Sequence, residues 1–161
     1  MVIAKWFGGI WLGLLFAIGP AWAEMSDREF MAAAIQINLA EIELGKLGQE
    51  KAQDQAVRAY AEKMVADHTK ANEQALALAQ QLDMKAPAEP REKDQAEYKK
   101  LQDITSGFDK AFMNVMIKGH QEAVNLFDAQ TNAKGPSAKF ARNLLPELQH
   151  HLAEAQAWSG S

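Results

Sequence analysis

The chain has 161 residues, 48% of them hydrophobic and 24% charged, with a formal net charge of −4 and no cysteine. That length suits one domain, and the absence of cysteine excludes disulfides, thiolate metal sites and covalent haem attachment. The acidic balance offers no basic stripe to a nucleic-acid partner.

Residues 1–23 come first. A single cation, Lys5, precedes an apolar run over residues 6–18, and Gly19, Pro20 and the small-x-small ending Ala21-Trp22-Ala23 follow it. This is the layout of a secretory signal peptide, with the cut expected between Ala23 and Glu24. The run falls short of the ~20 residues that a membrane span needs. Export to the periplasm with removal of the signal is therefore expected, leaving residues 24–161 as one domain that spans no membrane. That remainder is rich in Ala, Leu and Gln and poor in Val, Ile and Thr, a composition for helix rather than strand.

The first long helix is expected to open at Ser26, where Ser26 and Glu29 have capping-box spacing. Phe30, Ala33, Ile37, Leu44 and Leu47 follow at helical intervals, and Gly45 and Gly48 mark its expected end. The second opens at Asp54, a suitable N-cap, and runs to about residue 82 on a seam that includes Val57, Ala61, Met64, His68, Ala71 and Ala75. Pro87 and Pro90 break the chain. Residues 91–106 are polar, with a short helix expected over 97–102. A third long helix is expected over 108–133, with Phe112, Met116, His120, Ala123 and Phe127 on one face. Gly135-Pro136-Ser137 makes a turn, and a fourth helix runs from there to about 157. Pro146 inside it should kink it or leave a carbonyl free.

These segments predict an all-α fold: a four-helix bundle of ferritin-like type, with a long crossover between the second and third long helices that makes them parallel.

One internal repeat carries chemistry. Ala59-Tyr60, Met64-Val65 and His68 align with Ala111-Phe112, Met116-Ile117 and His120. Aromatic, methionine and histidine recur one turn apart on the faces that the apolar seam turns inward. His151 lies near the seam of the fourth helix, about as far from the turn at residues 135–136 as His120 is. In parallel second and third helices, His68, His120 and His151 would share one mid-bundle layer. Converging neutral imidazoles suit zinc, copper, iron or nickel, and Met64 and Met116 would soften the set toward cuprous copper. Glu41 interrupts the seam of the first helix and, if buried, needs a partner; it is expected in a layer nearer the first turn. Asp67 is expected to face away from His68. The one Glu-x-x-His spacing, Glu147 to His150, falls on a polar face beside Asn143 and Glu154, so the di-iron pattern is incomplete.

The strings Ala61-Glu62-Lys63-Met64-Val65-Ala66-Asp67-His68-x-x-x-Asn72, Phe108-Asp109-x-x-Phe112-x-x-x-Met116-x-x-x-His120 and Leu145-Pro146-x-Leu148-x-x-His151-Leu152-x-x-Ala155 resemble those of an exported bacterial family, domain of unknown function 4142. Its members are often labelled predicted outer-membrane proteins and are grouped with the ferritin-like superfamily. The resemblance covers about residues 27–157. It implies the ferritin-like topology and matches His68, His120 and His151 to the family pattern; no activity defines the family.

Two readings follow. One is a periplasmic bundle that binds copper or zinc through His68, His120 and His151, with Met64 and Met116 beside them. The other is a metal-free envelope-stress or interaction module whose histidines are structural. A non-covalent haem with Met and His axial ligands also suits such a bundle. No Gly-rich phosphate loop, nucleophile elbow or HExxH motif supports a hydrolase or a transferase.

Overall fold

Local signals in the sequence start most of the helices. Ser26 Oγ accepts from the Glu29 amide at 3.3 Å, and the Glu29 carboxylate accepts from the Ser26 amide at 2.9 Å, completing the capping box. Asp54 caps the second helix through the Ala56 amide at 2.7 Å. Gly107, at φ 68°, and Gly135, at φ 116°, supply left-handed backbone that other residues avoid. The computed structural model describes residues 25–159, so the expected signal peptide and its cut site lie outside the described residues. It contains α1 (Asp27–Lys51), α2 (Gln55–Gln81), α3 (Glu92–Gln102), α4 (Phe108–Thr131) and α5 (Pro136–Ala157). The described residues include no strand, and no helix among them is long and apolar enough to cross a membrane.

Two boundaries differ from expectation. α1 does not stop at Gly45 or Gly48 but runs through both to Lys51. Both glycines serve close packing. A Cβ on Gly45 would stand 2.8 Å from Val65 Cγ2, and one on Gly48 would stand 2.7 Å from Phe112 Cζ and 2.8 Å from Ala61 Cβ. α2 and α4 thus press on α1 where it has no side chain. Gly48→Ala should therefore cost about 1–3 kcal/mol by overpacking, although alanine is the better helix former. A lower urea midpoint at unchanged slope would report it; an unchanged or raised midpoint would show that Phe112 can yield.

The second difference is α3, which begins at Glu92 rather than at residue 97. Glu92 and Asp94 occupy its first turn, and Lys99 and Lys100 its last, so a segment poor in apolar residues is helped by its own dipole. Pro146 breaks nothing: α5 continues through it. The carbonyl it frees belongs to Arg142, four residues earlier on the exposed side, where water can serve it.

Two apolar clusters fill the core. One holds Leu44 and Leu47 of α1, Val57 and Met64 of α2, Phe112 and Met116 of α4 and Ala155 of α5. The other holds Phe30 and Ile37 of α1, Ala75 of α2, Phe127 of α4 and Phe140 of α5. The order in which each helix meets the two clusters gives its direction. α2 and α4 run one way, and α1 and α5 run the other. The long link carrying α3 is therefore a crossover, as expected.

Side chains satisfy helix ends at the crossover and at both short links. Lys51 Nζ donates to the carbonyls of Gln102 and Ile104 at the close of α3. Asp109 accepts from the amides of Gln53 and Asp54, at 3.1 and 2.8 Å. The Asp27 carboxylate accepts from the Ser137 amide at 3.1 Å and from its hydroxyl, standing in for the side-chain cap that Gly135 lacks.

Candidate metal centre

Between the two clusters lies a polar layer. α2 supplies His68, α4 His120 and α5 His151, and they are 2%, 0% and 1% exposed. Their ring centroids stand 5.5, 5.5 and 5.4 Å apart, an almost equilateral triangle. One nitrogen from each ring lies within 4.8 Å of the others, and His68 Nε2 is 3.5 Å from His120 Nε2. Two nitrogens sharing a zinc or copper ion at bonds of about 2.0–2.1 Å stand roughly 3.3–3.6 Å apart. The histidines predicted to share a layer do share one.

The outer nitrogens decide what the inner ones can do. His120 Nδ1 lies 3.0 Å from the Met116 carbonyl, which only accepts, so Nδ1 carries the hydrogen and Nε2 keeps its lone pair. His151 Nε2 lies 2.9 Å from Asp67 Oδ2, so Nε2 carries the hydrogen and Nδ1, buried with no partner, keeps its lone pair. His68 Nδ1 faces Asn38 Oδ1 at 2.9 Å, which frees Nε2 in the same way once the amide oxygen is assigned to that side. Three hydrogen-free nitrogens then face a common point with no donor among them. Outer hydrogen bonds of this kind fix tautomer and orientation in metal-ligating histidines.

Charge agrees with this. Burial holds His68 well below the ordinary histidine range, with His120 and His151 adding to the effect. Burial likewise takes His120 down to about 4, with His151 adding and the bond to Met116 opposing. His151 is lowered by burial against the pull of Asp67. All three are neutral near pH 7, the form that binds metal.

Residues 17–158 match the family described as domain of unknown function DUF4142. The chain belongs to that family. No curated protein matches it. Among solved structures, the DUF4142 chain is similar to a DUF305 fragment from Deinococcus radiodurans, at a TM-score of 0.71 and 18% identity, covering 81% of this chain and 92% of that one. It is similar to CopM in the Cu(II)-bound form, at a TM-score of 0.72 and 18% identity, covering 84% and 96%. A DUF305 protein from Streptomyces coelicolor gives a TM-score of 0.64 at 14% identity, covering 84% and 98%. At such identities the likeness is one of fold.

The other residues singled out in this DUF4142 sequence fall as follows. Met64 and Met116 are wholly buried one turn before His68 and His120, in the apolar cluster next to the triad. Glu41 is not among the three converging groups, but it is buried just beneath them, its Oε1 3.9 Å from His120 Nδ1. His150 is exposed beside Glu154, as expected of a polar face. Glu147 gathers with Asp67 and His151 rather than with His150.

Sequence reasoning missed Asn38, and it missed the partner of Asp67. Asn38 stood out as a polar residue four after Ala34 and three before Glu41 on the buried stripe of α1. Asp67 does face away from His68, but toward α5, where His151 needs an acceptor.

Proposed function

We propose that this DUF4142 protein is an exported, ferritin-like four-helix bundle that holds one metal ion, copper or zinc, through His68, His120 and His151. Its site of action on this reading is the periplasm, reached by a signal peptide cut before Glu24. The observation that carries the reading is the triangle of imidazoles whose outer nitrogens are all given to acceptors. Three inward lone pairs repel one another, and a bound cation removes that cost. The donor set is neutral and nitrogen-based, which suits copper and zinc better than magnesium or calcium. The Cu(II)-bound form of the similarly folded CopM points the same way. Met64 and Met116, one turn away, are the thioethers that would favour cuprous copper.

Elemental analysis of protein purified from the periplasm should find about one copper or zinc per chain. Replacing His68, His120 or His151 singly by Ala should each remove most of it; metal content indifferent to all three changes would end the idea. Met64→Leu with Met116→Leu should shift preference from copper toward zinc if the sulfurs take part.

One observation favours the metal-free reading. Asn38 Nδ2 is buried with no partner. With the amide turned over, Nδ2 donates to His68 Nδ1, and His68 Nε2–H donates across the 3.5 Å to His120 Nε2. Nitrogen-15 chemical shifts separate the two forms. The metal reading expects His68 to carry its hydrogen on Nδ1 before any metal is present, and its Nε2 shift to move when zinc is added to chelator-treated protein; the structural reading expects the Nε2–H tautomer, with shifts unchanged by zinc.

A further inference from the structure

Glu41 has an environment of its own. It is 4% exposed, and its Oε2 is buried with no hydrogen-bond partner. Its Oε1 is 3.9 Å from His120 Nδ1, too far to bond, and that nitrogen already donates to Met116. A buried carboxyl without donors is costly, and here the space above it is open. A cavity of about 220 Å³ lies between α1, α3 and α4, floored by Glu41 and Gly119 and walled by Ile37, Ala40, Leu44 and Val115. Gly119 keeps it open: a Cβ there would stand 2.9 Å from Glu41 Oε1. The mouth carries Arg91, Lys93 and Lys118 against Asp94, Glu97 and Glu122, three charges of each sign, with Arg91 paired to Asp94 and Lys93 to Glu122.

We propose that this cleft is a second binding site, separate from the histidine triad, for a small organic cation: a short primary alkylammonium. Its head group sits on Glu41, and its alkyl chain lies along Ile37, Ala40, Leu44 and Val115. The walls and floor select that class. An acidic floor rejects anions. A hard metal cation needs several oxygen ligands, and the apolar walls supply none. A neutral alcohol brings one hydroxyl where an ammonium brings three donors and a charge. The alkyl chain gains from the apolar walls. The balanced charge at the mouth does not repel an incoming cation, and the half-exposed Lys93–Glu122 pair linking α3 to α4 is weak enough to part.

Calorimetric titration of chelator-treated protein with n-butylammonium at about pH 9, where the Glu41 carboxyl is ionised and the amine still protonated, should show one site per chain, with n-butanol at least about tenfold weaker. Glu41→Gln and Gly119→Ala should each weaken butylammonium at least about tenfold, with helical circular dichroism unchanged. In the unaltered protein, butylammonium should move the amide resonances of Val115 and Gly119. Butanol binding as tightly, Glu41→Gln binding unimpaired, or resonance changes confined to other residues would each overturn the proposal. Because the titration contains no metal, its outcome is independent of whether the triad holds an ion.

Discussion

Acidification of the metal-free protein from about pH 6.5 to about pH 4 should strip it of most of its stability. An unfolded histidine takes up its proton near pH 6.5. His120 in the folded chain does so only at about 4, and His68 is also held well below 6.5. Between those limits the unfolded state binds more protons, so stability falls as pH falls, by up to about 1.4 kcal/mol per pH unit for each such histidine. Glu41 acts in the opposite sense. Burial raises its carboxyl to about 8, with Asp94 adding and Arg91 opposing. It favours the folded state fully below its unfolded value of 4.5 and loses that contribution as pH rises toward 8. Two histidines outweigh one carboxyl on the acid side, and Glu41 acts alone above 6.5. Urea midpoints across pH, with chelator present, should therefore peak near pH 6.5–7 and fall on both sides. Glu41→Gln should flatten the alkaline limb and leave the acid limb in place. A profile flat from 7 to 4 would mean that the histidines are not buried as described.

Asn38→Leu should weaken metal binding by about 10–100-fold while changing metal-free stability by less than about 1 kcal/mol. The two effects separate because Asn38 has two ends. Its oxygen accepts from His68 and orients that ring, so its loss unfixes a ligand. Its nitrogen is buried with no partner, so removing it relieves a cost similar to the one incurred at His68. Chelator competition measures the first quantity and urea unfolding the second. Undiminished affinity would show that packing alone orients His68. Loss of stability with affinity retained would make Asn38 a structural residue only.

What could be read in advance was local. Ser26, Asp54 and Gly135-Pro136 announce helix starts because a cap depends on neighbours in sequence. The three histidines could be placed in one layer because depth in a helix is counted from its turn. Contacts between helices were harder to foresee. Gly45 and Gly48 carry the local signature of a helix stop, and only Val65 and Phe112 pressing from α2 and α4 explain why the helix continues. Asp67 was judged against His68 on its own helix, whereas its partner is on α5. The cleft above Glu41 needs three helices to exist, one of which, α3, has few apolar residues to announce it.

The directions of α1 and α5 carry a mechanical consequence. Because these two helices run the same way, the described residues begin at one pole of the molecule and finish at the other. Tension applied between Asp27 and Ala157 acts along both helices and drags them lengthwise past α2 and α4. Whole interfaces are then loaded side by side in shear, a stiffer geometry than peeling one turn at a time from a free end. A molecule held at both ends this way would yield at high force and in one step.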